Sequence, residues 1–227
     1  MDIRILYEDN HLLVVVKPPN MPVQGDISGD MDLLTLLKAD IKKRYNKPGN
    51  VFLGLVHRLD RPVGGVMVFA RTSKAASRLS EQVRKHETEK IYLCVTQGCP
   101  KELKGRLSDH LLKDEKENVV KVVEPGTPGS KPAVLEYEVM AQRDGLSLVR
   151  VNLITGRSHQ VRVQMSNNGT PLFGDTKYGY AGDRGHQLAL WSHKLSIFHP
   201  TTKERMTFTS SPPDTYPWNL FSYISLS

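Results

Sequence analysis

Cysteine is scarce in this 227-residue chain, and so are the signatures of several common chemistries. Its two cysteines, Cys94 and Cys99, fall together in "CVTQGC" with no Cys or His at metal-ligand spacing. So close a pair makes a weak disulfide framework and reads as two reduced thiols. Neither G-x-x-x-x-G-K-[ST] nor G-x-G-x-x-G occurs, which removes the familiar phosphate cradles and argues against a nucleotide cofactor. The G-x-S-x-G elbow of serine hydrolases is missing, as are H-E-x-x-H and C-x-x-C pairs for zinc. No apolar run approaches a bilayer span, and the opening "MDIRILYEDN" lacks the basic and apolar regions of a secretory signal. The expectation is a soluble, cytoplasmic protein that needs no membrane, no metal and no cofactor.

Acid is also in short supply. Lys and Arg number 31 against 24 Asp and Glu, a formal net charge of +7, and the pI is about 9.4. Surplus guanidinium and ammonium groups suit contacts to polyanions, phosphates above all. With 39% hydrophobic residues the chain can bury a good core as one domain.

Strand-like segments dominate the pattern. "IRILYE" and "LLVVVKP" around "DNH" read as a hairpin, and "KPPNMPVQGDISGD" as a loop. "MDLLTLLKADIKKRY", apolar at Leu33, Leu34, Leu37 and Ile41, predicts an amphipathic helix capped by Asp30 or Asp32. A strand at "GVMVFAR" precedes a second helix, "SKAASRLSEQVRKH", capped by Thr72 or Ser73. Then come strands at "EKIYLCVTQ", "GRLSDHLL", "NVVKVVE", "AVLEYEVMAQ" and "LSLVRVNLI", a helix in "GRSHQVRVQMSNNG" ending at Gly169, and strands at "LALWSHKLSIFHP" and "RMTFTS". This order predicts an α+β fold: a mixed, mostly antiparallel sheet with flanking helices. With no internal repeat or long linker, residues 1–227 are expected to form a single domain.

"HRLDRPVGG", His57 to Gly65, sets Asp60 between Arg58 and Arg61 and then drops to two glycines. On a solvated turn this is an ordinary charge cluster of little energetic worth. In a cleft, the arginines could hold a working carboxylate ionised beside something negatively charged. The glycines would let backbone approach a ligand closely or turn sharply.

Four separated blocks, in order, resemble the RluA family of RNA pseudouridine synthases. "DNHLLVVVKPPNMPV" resembles the family's opening hairpin and Lys-Pro loop, and "HRLDRPVGGVMVFARTSKAASRLSEQ" its catalytic strand, loop and following helix. "EKIYLCV" resembles its Lys-x-Tyr strand and "LITGRSHQVRVQMSNNGTPLFGDTKYG" its third motif. The resemblance places Asp60 on the catalytic aspartate, Tyr92 on the active-site tyrosine, and Arg162 on the arginine that pairs with that aspartate. Arg58 matches a residue that rearranges RNA around the flipped base, and Arg157 and His159 lie in the third motif as further RNA-binding candidates. Where the family usually has Thr-Ser-Gly, this chain has Val63, Gly64 and Gly65. The resemblance implies a catalytic cleft across the sheet and a single catalytic domain, 1–227, without a separate N-terminal RNA-binding module, since Tyr7 already falls in the opening hairpin.

The implied reaction breaks a uridine's glycosidic bond and rejoins the ring to the sugar through carbon. Atoms balance without a redox partner, metal or energy source, and a carboxylate suffices as nucleophile. A desolvating pocket disfavours an ionised carboxylate, and a neighbouring guanidinium restores that form and fixes its orientation. The target base must leave its stack and rest on an aromatic face, a task suited to Tyr92.

Taken singly, Asp60 would be a surface ion-pair residue, Tyr92 a core aromatic with its hydroxyl satisfied, and Arg157 and Arg162 a solvated helix face. The ordered blocks reverse that for Asp60, Tyr92 and Arg162. The expected substrate is a stem-loop of ribosomal or transfer RNA, met by a monomer without an obligate protein partner. The rival is a non-catalytic RNA-binding protein on the same scaffold. A carboxylate-dependent nucleoside hydrolase would need a second acid or base near Asp60, and no obvious one stands in the sequence.

Overall fold

The structure is a computed structural model that describes residues 3–180 and 185–225. Its strands in chain order are β1 (Ile5–Glu8), β2 (Leu12–Lys17), β3 (Gly54–Leu55), β4 (Gly64–Ala70), β5 (Glu89–Gln97), β6 (Lys104–Asp114), β7 (Val119–Val123), β8 (Lys131–Arg143), β9 (Leu146–Leu153), β10 (Leu190–Phe198) and β11 (Arg205–Thr209). Its helices are α1 (Leu33–Arg44), α2 (Ser73–Arg84) and α3 (Gln160–Asn167). The chain divides into two compact units, Met1–Glu89 with Lys194–Ser210 and Lys90–His193 with Ser211–Ser227.

In the first unit, Asp9 closes the β1–β2 hairpin by accepting from the N–H groups of His11 and Leu12, both at 2.7 Å. Short acidic side chains favour such turns because they imitate a backbone acceptor. β2 runs antiparallel to β4 with Leu12 opposite Ala70 and Lys17 opposite Gly65. β11 pairs antiparallel with residues 194–198 of β10. Asp32 caps α1 through Thr35 N–H at 2.9 Å, and Thr72 caps α2 through Ala75 N–H at 3.1 Å. Both caps satisfy helix N–H groups that have no partner inside the helix. α2 lays Ala75 and Leu79 on Leu12, Val14, Val66 and Val68. Each such fully buried aliphatic side chain contributes about 1.5–3 kcal/mol before entropy is counted.

The second unit holds an antiparallel sheet in the order β5-β9-β8-β6-β7, in which β6–β7 and β8–β9 are hairpins and β5 lies beside β9. Tyr92 stands opposite Val151, and Leu135 opposite Leu153. Val163 of α3 packs on Leu111, Val120 and Ala133, so the helix lies over the β6–β7 end of that sheet.

The α+β expectation holds, including the mostly antiparallel pairing, and most expected elements lie within a few residues of their observed ends. The third helix differs. It begins at Gln160 and leaves residues 156–159 as a loop, because His159 takes a left-handed conformation with φ 52°. The Gln160 side chain stabilises that loop by accepting from Arg157 N–H at 3.0 Å and Thr155 Oγ1 at 2.8 Å. β3 and the short 3-10 turn at Trp218–Phe221 have no signal in the pattern, being too brief for a period to show.

Candidate active site

Asp60 lies on a tight turn leading into β4. Its backbone carbonyl accepts from Val63 N–H at 3.0 Å, and the flanking Leu59 and Val63 are buried, Val63 at 2% exposure. Val63 occupies the departure from the usual Thr-Ser-Gly, and its isopropyl group anchors the turn in the core. Gly65 then takes φ 117°, a conformation that side chains rarely adopt. The preceding segment is tied to β4 by Val68 N–H, which donates to His57 Nε2 at 3.0 Å. That nitrogen is therefore the unprotonated one of the ring.

Beneath this turn sits Lys17, with no exposed surface. Its ammonium donates to the carbonyls of Pro18 at 2.9 Å, Met21 at 2.7 Å and Arg61 at 2.9 Å. An ammonium has three donors, and each finds an acceptor. Lys17 so fastens the loop after β2 to the Asp60 turn. Burial pushes its pKa down to about 7, the Asp60 charge works against that fall, and Arg61 adds to it. No motif argument gave Lys17 a role. The available signal was a lysine closing the apolar strand "LLVVVK" immediately before two prolines.

The two arginines beside Asp60 behave differently. Arg61 reaches the 26–30 loop, where Nη1 lies 3.7 Å from Asp26 and 3.0 Å from Ser28 Oγ, and Nη2 pairs with Asp30. Arg58 is exposed and has no hydrogen bond or ion pair among the described residues. It is thus available to a ligand in a way that Arg61 is not.

In the second unit, Arg162 projects from α3 into a buried pair with Asp175. Nε meets Oδ2 and Nη2 meets Oδ1, each at 2.8 Å. Asp175 also accepts from the N–H groups of Lys177 at 3.0 Å and Tyr178 at 3.1 Å. Burial alone would raise the Asp175 pKa, but the Arg162 bonds and charge, with those two N–H groups, hold it below the usual carboxylate range. The approach depends on Gly174 at φ 75°, where a Cβ would lie 2.3 Å from the Gln187 carbonyl oxygen. Tyr178 completes the cluster. Arg162 lies 5.1 Å from its ring centroid, and its hydroxyl meets His159 Nδ1 at 2.7 Å and accepts from Val120 N–H at 2.8 Å. Arg162 and His159 are therefore brought together through Tyr178. Asp175 and Tyr178 stand in "FGDTKYG", where a carboxylate just after an apolar stretch was the one hint of burial.

Tyr92 sits in the middle of β5 at 8% exposure. Arg157 lies in the loop before α3, with Nε donating to the Pro132 carbonyl at 2.9 Å. Cys94 and Cys99 are free thiols, and burial pushes the Cys94 pKa up to about 12, so that sulfur is an inert core atom.

Residues 11–167 match the sequence model of the family described as RNA pseudouridylate synthase. The chain is 32% identical over 206 residues to an uncharacterized RNA pseudouridine synthase, YhcT, of Bacillus subtilis (strain 168), covering 89% of this chain and 66% of that protein. It is 32% identical over 209 residues to ribosomal large subunit pseudouridine synthase C of Vibrio vulnificus (strain CMCP6), covering 89% and 63%. The chain thus spans just under two thirds of the length of these relatives. Its fold is similar to that of human RNA pseudouridylate synthase domain containing 1, with a TM-score of 0.75 at 25% identity over 94% of this chain and 85% of that one. Human RNA pseudouridylate synthase domain containing 4 shares the fold at a TM-score of 0.78 and 24% identity, over 92% and 88%. The matched span holds Asp60, Tyr92 and Arg162, and by that match the chain belongs to the RNA pseudouridine synthase family, in its RluA branch.

Proposed function

We propose that the protein isomerises specific uridines in structured RNA to pseudouridine. The observation that carries this reading is the Asp60 turn: a carboxylate held between two buried apolar anchors, with a fully buried ammonium bound to the next residue's carbonyl. An ordinary surface aspartate needs no such support.

Asp60 acts as the nucleophile that allows the glycosidic C–N bond to break. The uracil ring turns, its C5 bonds to the sugar, the C5 proton leaves to solvent and N1 takes up a proton. Product and substrate then have the same atoms, so no co-reactant is consumed. Arg162 is the guanidinium that the family resemblance assigns to the aspartate, and its plane is fixed by Asp175. Tyr92 receives the flipped base on its ring. Arg58, exposed and without a carboxylate of its own, contacts RNA phosphates together with Arg157 and His159. The substrate is a stem-loop of ribosomal or transfer RNA, whose unstacked loop uridine flips at low cost. The protein works as a cytoplasmic monomer without a bound metal or cofactor.

Two measurements test this. Purified protein is incubated with unmodified RNA labelled with tritium at uridine C5, and tritium release is followed. The gene is then deleted in the organism that encodes it, and pseudouridines are mapped by carbodiimide-stop sequencing. Release in the first experiment and loss of one or a few sites in the second are expected, with restoration by the intact gene. RNA binding with no release on a mapped target would favour the non-catalytic rival, and an unchanged map across stable RNAs would reject the assignment.

A further inference from the structure

Two lysines of this chain, Lys17 fully buried and Lys90 half-buried, are treated in opposite ways. Lys17 has an acceptor for each donor. Lys90, on β5, is only partly exposed, yet its ammonium makes no hydrogen bond or ion pair among the described residues. Burial and the charge of Arg157 both push its pKa below the ordinary lysine value. Arg157 in turn gives Nε to the Pro132 carbonyl, and its two Nη groups have no acceptor among the described residues.

Such a pair is unfavourable as structure. Removing an ammonium from water without giving it an acceptor costs free energy, and a like charge beside it adds to the cost. A lysine serving only the fold would be expected to reach a carbonyl or carboxylate, as Lys17 does. Gly156 leaves the ammonium its space, since a Cβ there would lie 3.3 Å from Lys90 Nζ, tighter than an ordinary contact. The alternation of a strand puts Lys90 and Tyr92 on one face of β5, about 7 Å apart along the chain. That is the scale of one nucleotide, from its base to its phosphate.

We infer that Lys90 and Arg157 form a phosphate-binding subsite that grips the RNA backbone beside the base received at Tyr92. The inference rests on the RNA pseudouridine synthase reading for the base, and, for the phosphate, on two cations that have no carboxylate partner among the described residues. A phosphodiester brings two non-bridging oxygens and one negative charge. Lys90 supplies a point charge, and Arg157 supplies paired donors at its Nη edge.

The test is filter binding of unmodified large-subunit ribosomal RNA, transcribed in vitro, across a range of KCl concentrations. Wild type is compared with Lys90→Gln, Lys90→Arg and, as a control for net charge, Lys42→Gln on the exposed end of α1. Lys90→Gln is expected to weaken binding about tenfold at moderate salt and to flatten the salt slope by about one counterion. Lys90→Arg and Lys42→Gln should stay within about twofold of wild type. The thermal midpoint of Lys90→Gln should equal or exceed that of wild type, because no hydrogen bond is lost.

Binding by Lys90→Gln equal to that of Lys42→Gln overturns the inference, as does absence of wild-type binding. A marked fall in thermal midpoint would make Lys90 structural and overturn it equally. Tritium release by wild type with unchanged Lys90→Gln binding rejects the subsite and keeps the enzyme. Weakened Lys90→Gln binding without wild-type release keeps the subsite and rejects the enzyme.

Discussion

Arg162 and Asp175 face each other along two parallel bonds of 2.8 Å, with side-chain exposures of 5% and 0%. A fork bound in this way cannot rotate, so Asp175 decides the plane in which the guanidinium lies. The pairing also explains why "FGDTKYG" accompanies "SHQVR" in one motif: Gly174 permits the backbone turn, Asp175 orients the arginine, and Tyr178 covers its face.

Asp175→Asn removes the charge and one fork partner while keeping the volume. It removes the charge that faces a buried guanidinium, and breaking a buried pair on one side should cost roughly 3–5 kcal/mol of unfolding free energy. Residual activity should fall by about two orders of magnitude, since small misplacements of a positioned group have effects of that size. Arg162→Lys should lose activity similarly, because an ammonium cannot make the planar double contact. The pH dependence of stability separates the charge from the packing. Asp175 has a folded pKa below its unfolded value of about 3.9, so its contribution is complete above that value and is lost as pH falls through the folded one. Urea unfolding at pH 6, 4 and 3 should show the gap between wild type and Asp175→Asn narrowing toward the acid end. A gap constant over that range would mean the charge is not what Asp175 contributes.

Lys17 gives the opposite sign. Its folded pKa of about 7 lies below the ordinary lysine value of 10.5, so between those values the unfolded chain binds a proton that the folded chain lacks. Stability from this group therefore rises with pH across that window, by up to about 1.4 kcal/mol per unit, and is flat below pH 7. Lys17→Met abolishes the slope and also leaves the carbonyls of Pro18, Met21 and Arg61 without their donor, a loss of roughly 1–3 kcal/mol per uncompensated group. Unfolding at pH 7, 8 and 9 should show wild type gaining on its own neutral-pH stability while the variant does not. Parallel pH profiles would show that the ammonium stays charged throughout.

The sequence pattern made the strands and helices legible because their periods are local, and Asp32 and Thr72 cap α1 and α2 as their side chains predict. His159 was different. Its φ of 52° depends on Gln160 bonding back to Arg157 and Thr155, a side-chain arrangement with no period. Asp60, Tyr92 and Arg162 drew expected roles because their motifs are contiguous. Lys17, Lys90 and Asp175 sat inside those same motifs and drew none, since burial decides what a charged residue does and burial is not written in its neighbours. The expectation that both arginines attend Asp60 missed for Arg61, whose ion pairs to Asp26 and Asp30 join segments some thirty residues apart.

Asp60 itself gives the sharpest separation of chemistry from binding. The bond that closes its turn runs from Val63 N–H to the Asp60 backbone carbonyl, so Asp60→Asn keeps both the turn and the anchors at Leu59 and Val63. Loss of the carboxylate removes a charge that supports the Lys17 ammonium, so the thermal midpoint of the variant should be more sensitive to pH near 7 than that of wild type. RNA affinity should stay within a few-fold, because phosphate contacts supply most of it. Tritium release from C5-labelled uridine should fall below detection, since an amide is not a competent nucleophile. Asp60→Ala serves as the companion variant in case the amide deamidates to restore the acid. Release by Asp60→Ala at near wild-type rate would remove the nucleophile from the mechanism, whereas loss of release together with loss of RNA binding would make Asp60 a recognition residue.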